Sequence, residues 1–157
     1  MPVRLEVIPK SEVDAKALPQ DSAPAKPYVL VVDDENIIAD TLVLILRQHG
    51  YAADAAYDGA SALEMMKLIP PDLLITDVAM PGMTGVDLAI AVRTSMPECR
   101  VLLFSGHAST SDLLRSAEEA GYTFTLLSKP VHPRDLLAQT STLVDAPQPD
   151  VSHTASL

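Results

Sequence analysis

With 157 residues, the chain has room for one domain of ordinary size plus short extensions, and 48% apolar with 20% charged residues is a globular composition. Acidic side chains outnumber basic ones 21 to 11, for a formal charge of -10; that sign repels phosphate backbones and anionic lipid surfaces, so neither nucleic acid nor a membrane is expected as a partner. The one cysteine, Cys99, leaves no internal disulfide, no apolar run approaches the roughly 20 residues of a membrane span, and Glu6, Lys10 and Glu12 break the apolar stretch a secretory signal needs. These features point to a soluble, cytoplasmic protein of a reducing compartment.

Seven of the 13 prolines lie in residues 1–27 or 146–157, whereas all 6 glycines lie between Gly50 and Gly121. Proline breaks regular structure and glycine makes turns, so the ends read as a flexible, proline-rich extension (1–27) and a flexible tail (146–157) around one domain, 28–145. Within the extension, Val3 to Ile8 is a candidate short strand. The domain holds 16 acidic and 7 basic side chains, nearly all of the net charge.

In chain order, Tyr28 to Val32 is a continuous apolar run suited to a strand buried on both faces. Ile37, Ile38, Leu42, Ile45 and Leu46 then recur at helical spacing up to Gly50, a residue suited to ending a helix. A weak strand at Ala52 to Ala56 precedes a helix from Ala60 to Ile69, which Pro70 and Pro71 terminate. Asp72 to Ile75 begins a third strand running to Thr76 and Asp77. A turn-rich loop, Met80 to Gly85, leads to a helix that stops before Pro97. Val101 to Phe104, Asp112 to Ala120, Thr123 to Leu127 and Pro133 to Val144 continue the alternation. Five such units predict a parallel sheet with helices on both faces, because parallel neighbours need a crossover and crossovers are right-handed.

Ligands of such sheets sit beyond the carboxyl ends of the strands, so the polar residues that follow each apolar run carry the information. The first strand ends in Asp33 and Asp34, the third in Asp77, the fourth in Ser105, and the fifth in Ser128 and Lys129. Carboxylates gathered on one rim repel each other unless a cation lies among them, and an all-oxygen, water-accessible donor set favours Mg²⁺. A metal flanked by a lysine and a hydroxyl describes a phosphoryl-transfer site, with Asp77 as nucleophile, Lys129 pairing with a phosphoryl oxygen and Ser105 donating to another.

The runs Val29-Leu-Val-Val-Asp-Asp-Glu35, Leu74-Ile-Thr-Asp-Val-Ala-Met-Pro-Gly-Met-Thr-Gly85, Phe104-Ser-Gly-His-Ala108 and Leu127-Ser-Lys-Pro130 together resemble the receiver domain of two-component response regulators. The resemblance covers residues 28–145 and implies a flavodoxin-like α/β fold, a five-stranded parallel sheet of order 2-1-3-4-5 with helices on both faces. It also implies a Mg²⁺ site formed by Asp33, Asp34, Asp77 and the backbone carbonyl of Ala79. Asp77 becomes the phosphoacceptor, Ser105 the switch hydroxyl and Lys129 the lysine of the pattern, joined to Pro130 by a cis bond. The implied function is that of a phosphorelay module, not a classical enzyme. It takes its phosphoryl group from a sensor histidine kinase or histidine phosphotransfer protein and binds a downstream protein through the fourth helix, fifth strand and fifth helix, about Asp112 to Val144. With no output domain after residue 145, a stand-alone receiver is expected.

The chain departs from that pattern at several places. The switch position, usually Tyr or Phe, is Leu126, with Phe124 two residues earlier as a partial substitute on the same strand face. Ala79, two residues past the acceptor, cannot orient a water, so slow loss of the phosphoryl group is expected. His107 stands two residues past Ser105, where it could shield that group.

Two other functions compete. A haloacid dehalogenase-like phosphatase also uses a strand-end aspartate with Mg²⁺, but it needs an acid where Ala79 stands. A receiver-like docking module that is never phosphorylated fits Leu126. Plainer roles also stand beside the sharp ones: Asp33, Asp34 and Glu35 could cap the first helix, His49, His107, His132 and His153 suit surface or helix-end positions, and Met65 and Met66 suit the core.

Overall fold

A computed structural model describes residues 25–106 and 110–146, and the β/α alternation runs through them. Strand β1 (Tyr28–Val32) leads to helix α1 (Asn36–Gln48), β2 (Ala52–Ala56) to α2 (Gly59–Leu68), and β3 (Leu73–Asp77) to α3 (Gly85–Ser95). β4 (Arg100–Ser105) leads to α4 (Thr110–Glu119), and β5 (Thr125–Ser128) to α5 (Pro133–Asp145). Every pairing is parallel, and the strands stand in the order β2-β1-β3-β4-β5. The expected strand Val3 to Ile8, His107, His153 and the tail beyond residue 146 lie outside the described residues.

Local chemistry sets the helix ends. Asp58 caps α2 by accepting the Ser61 N–H at 2.7 Å. Thr84 and Asp87 form a reciprocal capping box at the start of α3. At α5, Pro133 occupies the first turn and His132 Nδ1 accepts the Arg134 N–H at 3.1 Å. Gly50 follows α1 at φ 95°, a left-handed conformation that side chains resist and that makes it the predicted stop.

Two apolar layers sandwich the sheet. On one face Val29, Val31, Leu73, Ile75 and Leu102 pack with Leu42 and Leu46 of α1 and Leu136 of α5. On the other, Leu30, Leu74 and Leu103 meet Met66 of α2, Leu88 and Val92 of α3 and Ala117 of α4. Because β1, β3 and β4 are covered twice, their residues are apolar in succession instead of alternating.

The fifth strand is shorter than its apolar run predicts. It begins at Thr125, not Thr123, and the residues just before it contact α3 from the side. Arg93 donates to the Thr123 carbonyl at 3.4 Å and lies 4.7 Å from the centre of the Phe124 ring, which in turn stacks with Tyr122 at 6.4 Å.

Candidate functional site

Strand register builds the site. Val32 stands opposite Thr76 across the β1–β3 pair, so Asp33 and Asp77, each the next residue, emerge side by side. This is where the connections diverge, α1 leading outward to β2 while β3 returns on the other side of β1, and such a switch point leaves an open crevice. Further along the rim, Asp77 is opposite Phe104, and Ser105 is opposite Ser128, which immediately precedes Lys129. Backbone bonds extend the ladders past the strand ends: Val78 N–H to Phe104 O at 3.0 Å and Lys129 N–H to Ser105 O at 3.0 Å.

Asp33, Asp34 and Asp77 each place a carboxylate oxygen within 4.8 Å of the others. Asp33 and Asp77 are buried while Asp34 is exposed, so the cluster has one open side. Lys129 enters from the opposite edge, with its ammonium 3.0 Å from Asp33 Oδ2 and 3.2 Å from Asp77 Oδ1. Burial pushes the Asp77 carboxyl above its ordinary value; Lys129 opposes that shift, and the neighbouring Asp33 and Asp34 charges add to it. Burial also works against the Lys129 ammonium, but Asp33 and Asp77 outweigh it and hold its pKa above the ordinary lysine value. The helix-capping alternative is met in part, since Asp33 Oδ1 accepts the Glu35 N–H at 2.9 Å while Oδ2 holds Lys129. Glu35, the N-cap residue, makes no side-chain cap.

Two glycines set how closely the chain wraps this cluster. A Cβ on Gly85 would lie 1.9 Å from the Asp77 carbonyl oxygen, and the Gly85 N–H donates to Val78 O at 2.8 Å. The start of α3 is thus pressed directly onto the backbone that carries Asp77. A Cβ on Gly106 would lie 3.2 Å from Lys129 Cβ, so this glycine leaves the lysine its path to the acids.

The remaining predicted residues separate. Ala79 is exposed at the rim. The Ser105 hydroxyl pairs with the hydroxyl of Thr110 at the start of α4, a partner the sequence did not mark. Leu126 stands on the edge strand and is 42% exposed, whereas Phe124 precedes the strand and belongs to the Arg93 and Tyr122 stack. His49 and His132 take helix-end positions, and Met66 is core. Cys99 is buried and its thiol is pushed up to about 12, first by that burial and then by Asp72, so it is no nucleophile at neutral pH. An apolar cleft of about 240 Å³ between α1 and the Lys129 to Val131 segment borders the site, lined in part by Ile37 and Pro130.

A parallel α/β sheet with an acid cluster and a lysine at its switch point defines a class of phosphoryl-handling folds, and comparison narrows it. The family model for the response regulator receiver domain matches residues 29–141. The chain belongs to that family. It is 34% identical over 109 residues to the response regulator receiver protein CpdR of Brucella abortus, covering 69% of this chain and 89% of CpdR. It is 29% identical over 113 residues to the DNA-binding response regulator MtrA of Mycolicibacterium smegmatis, covering 71% of this chain and 47% of MtrA. The chain thus spans about half the length of the MtrA relatives it matches. Among solved structures, Vibrio cholerae chemotaxis protein CheY4 aligns with a TM-score of 0.67 at 30% identity, over 76% of this chain and 99% of CheY4. A CheY-like receiver domain protein of Methanospirillum hungatei aligns at 0.68 and 27% identity, over 77% and 95%.

Membership makes the chain a signalling module of two-component systems and not a classical enzyme, which removes the phosphatase alternative. The Lys129–Pro130 bond is cis, as the resemblance implied. Among the described residues, no helix is long and apolar enough to cross a membrane.

Proposed function

We propose that Asp77 is the phosphoacceptor of this module, with the fold of residues 28–145 as the functional unit. The observation that supports this most strongly is the position of Lys129, whose ammonium pairs with both Asp33 and Asp77 beside an exposed third carboxylate. Three carboxylates and one ammonium leave the centre negatively charged, and Lys129 pairs with Asp33 and Asp77 but not Asp34, so the donor set fits a hard divalent cation. Asp33, Asp34, Asp77 and the Ala79 carbonyl would hold Mg²⁺, which when bound offsets the carboxylate repulsion and polarises a phosphoryl oxygen.

Transfer follows from the residues present. A carboxylate oxygen of Asp77 attacks the phosphorus of a phosphohistidine on a sensor kinase or phosphotransfer protein. The P–N bond breaks, its electron pair stays on the imidazole nitrogen, which takes up a proton, and an acyl phosphate remains on Asp77. Lys129 neutralises charge on the transferring oxygens and Ser105 turns to donate to one of them. The apolar cleft beside Lys129 gives a protein donor a surface to pack against. The added charge of about -1.5 to -2 biases the α4, β5 and α5 face toward a downstream protein partner. Ala79 orients no water, so the acyl phosphate is lost slowly.

Incubating the full chain with Mg²⁺ and acetyl phosphate and locating the modification by mass spectrometry tests this reading. Stable phosphate on Asp77, absent in Asp77→Asn, is the expected result. A chain that takes no phosphate is a docking module instead.

A further inference from the structure

The Ser105 hydroxyl has a partner outside the acid cluster. Ser105 ends β4 half-buried, and its Oγ pairs with Oγ1 of Thr110, the buried first residue of α4. Its backbone is fastened separately, with the carbonyl accepting the Lys129 N–H at 3.0 Å and the residue registered opposite Ser128. The strand end is therefore held while the side chain has two directions to face, toward α4 or toward Asp77. The side chains at and near the family's aromatic position offer no such link. Leu126 has no ring and is 42% exposed, and Phe124 is fastened to Arg93 and Tyr122.

We propose that Thr110 is a positioning residue that holds Ser105 in the resting orientation, and that phosphorylation exchanges this partner for a phosphoryl oxygen, so that the first turn of α4 senses the state of Asp77 directly. Whichever hydroxyl donates, turning Ser105 toward Asp77 breaks the pair. The movement thus reaches α4 through one hydrogen bond, without an aromatic side chain. The proposal rests on Asp77 being the acceptor.

The test follows phosphate incorporation at Asp77 from acetyl phosphate and Mg²⁺ in the full chain. It compares wild type, Thr110→Val, Thr110→Ser, Ser105→Ala and the Ser105→Ala/Thr110→Val pair. Valine keeps the shape and branching of threonine and removes only the hydroxyl. Thr110→Val is expected to speed incorporation about fivefold, the factor one net hydrogen bond carries, and Thr110→Ser to restore the wild-type rate. In the Ser105→Ala background, Thr110→Val is expected to change nothing further. Equal rates in wild type and Thr110→Val, or a Thr110→Val effect that persists without Ser105, overturn the role of Thr110 and leave that of Asp77 intact. Absence of phosphate on wild type overturns both. Hydrogen exchange on wild type alone gives a second readout: amides in the first turn of α4 are expected to exchange faster after phosphorylation, and unchanged exchange on a phosphorylated chain refutes the coupling.

Discussion

Adding a single methyl group at residue 85 perturbs the site through its backbone. In Gly85→Ala the new Cβ would start 1.9 Å from the Asp77 carbonyl oxygen, 2.8 Å from its carbon and 2.9 Å from Val78 Cα. All three are main-chain atoms, so no side-chain rotation relieves the clash. Since real Cβ contacts essentially never fall below 3.0 Å, residue 85 and Asp77 must separate by at least 1.1 Å, the difference between 3.0 and 1.9. That movement also breaks the 2.8 Å bond from the Gly85 N–H to Val78 O. Overpacking plus a lost hydrogen bond is worth about 2–4 kcal/mol, a large part of the stability of a domain this size. Urea denaturation should show a lower midpoint with an unchanged slope, and calorimetric Mg²⁺ titration of the surviving folded protein should show weaker binding, because Asp77 has left the cluster. Gly82→Ala is the control: Gly82 has φ 74° but open space around it, so only the backbone conformation costs, about 1 kcal/mol. A Gly85→Ala midpoint equal to that of wild type would refute the close-approach argument.

Burial raises the Asp77 carboxyl above its ordinary 3.8, so the folded state holds that proton more tightly than the unfolded chain and the ionised group weakens the fold at neutral pH. Without divalent ions, Asp77→Asn should therefore have the higher denaturation midpoint at pH 7, an advantage that shrinks as pH falls through the raised value and is gone below 3.8; a variant no more stable than wild type at pH 7 contradicts this. Arg93→Ala removes the cation–π contact with Phe124 and the bond to Thr123 O, and should cost about 1 kcal/mol in the same assay. Ala79→Asn supplies a side chain able to orient a water, and should release phosphate from phosphorylated Asp77 several-fold faster than wild type in a phosphate-release time course; slower release would count against the role given to Ala79.

The strands and helices were readable because their signals are local. The doubly covered strands appear as unbroken apolar runs at Val29 to Val32 and Leu73 to Ile75, and the strand-end acids follow directly. The start of β5 is where a local reading falls short: Thr123 and Phe124 directly precede an apolar run, yet they lie outside the sheet, where Arg93, 30 residues from Thr123 in the chain, contacts both. Thr110 carried no sequence signal, since a threonine at a helix start is ordinary capping chemistry and its pairing with Ser105 is a side-chain contact between the end of β4 and the start of α4 that spacing does not announce.

Composition, periodicity and the identity of strand-end residues sufficed to specify a parallel β/α domain and to nominate its acids, its lysine and its hydroxyl, because burial on two faces and placement at strand ends are written into consecutive residues. Only the assembled sheet decided that the ammonium of Lys129 sits between acids 52 and 96 residues earlier in the chain, that Gly85 presses on the Asp77 backbone, and that Ser105 faces α4. Those relations are set by register and strand order, which bring together residues far apart in the chain, and sequence spacing alone does not encode a distance.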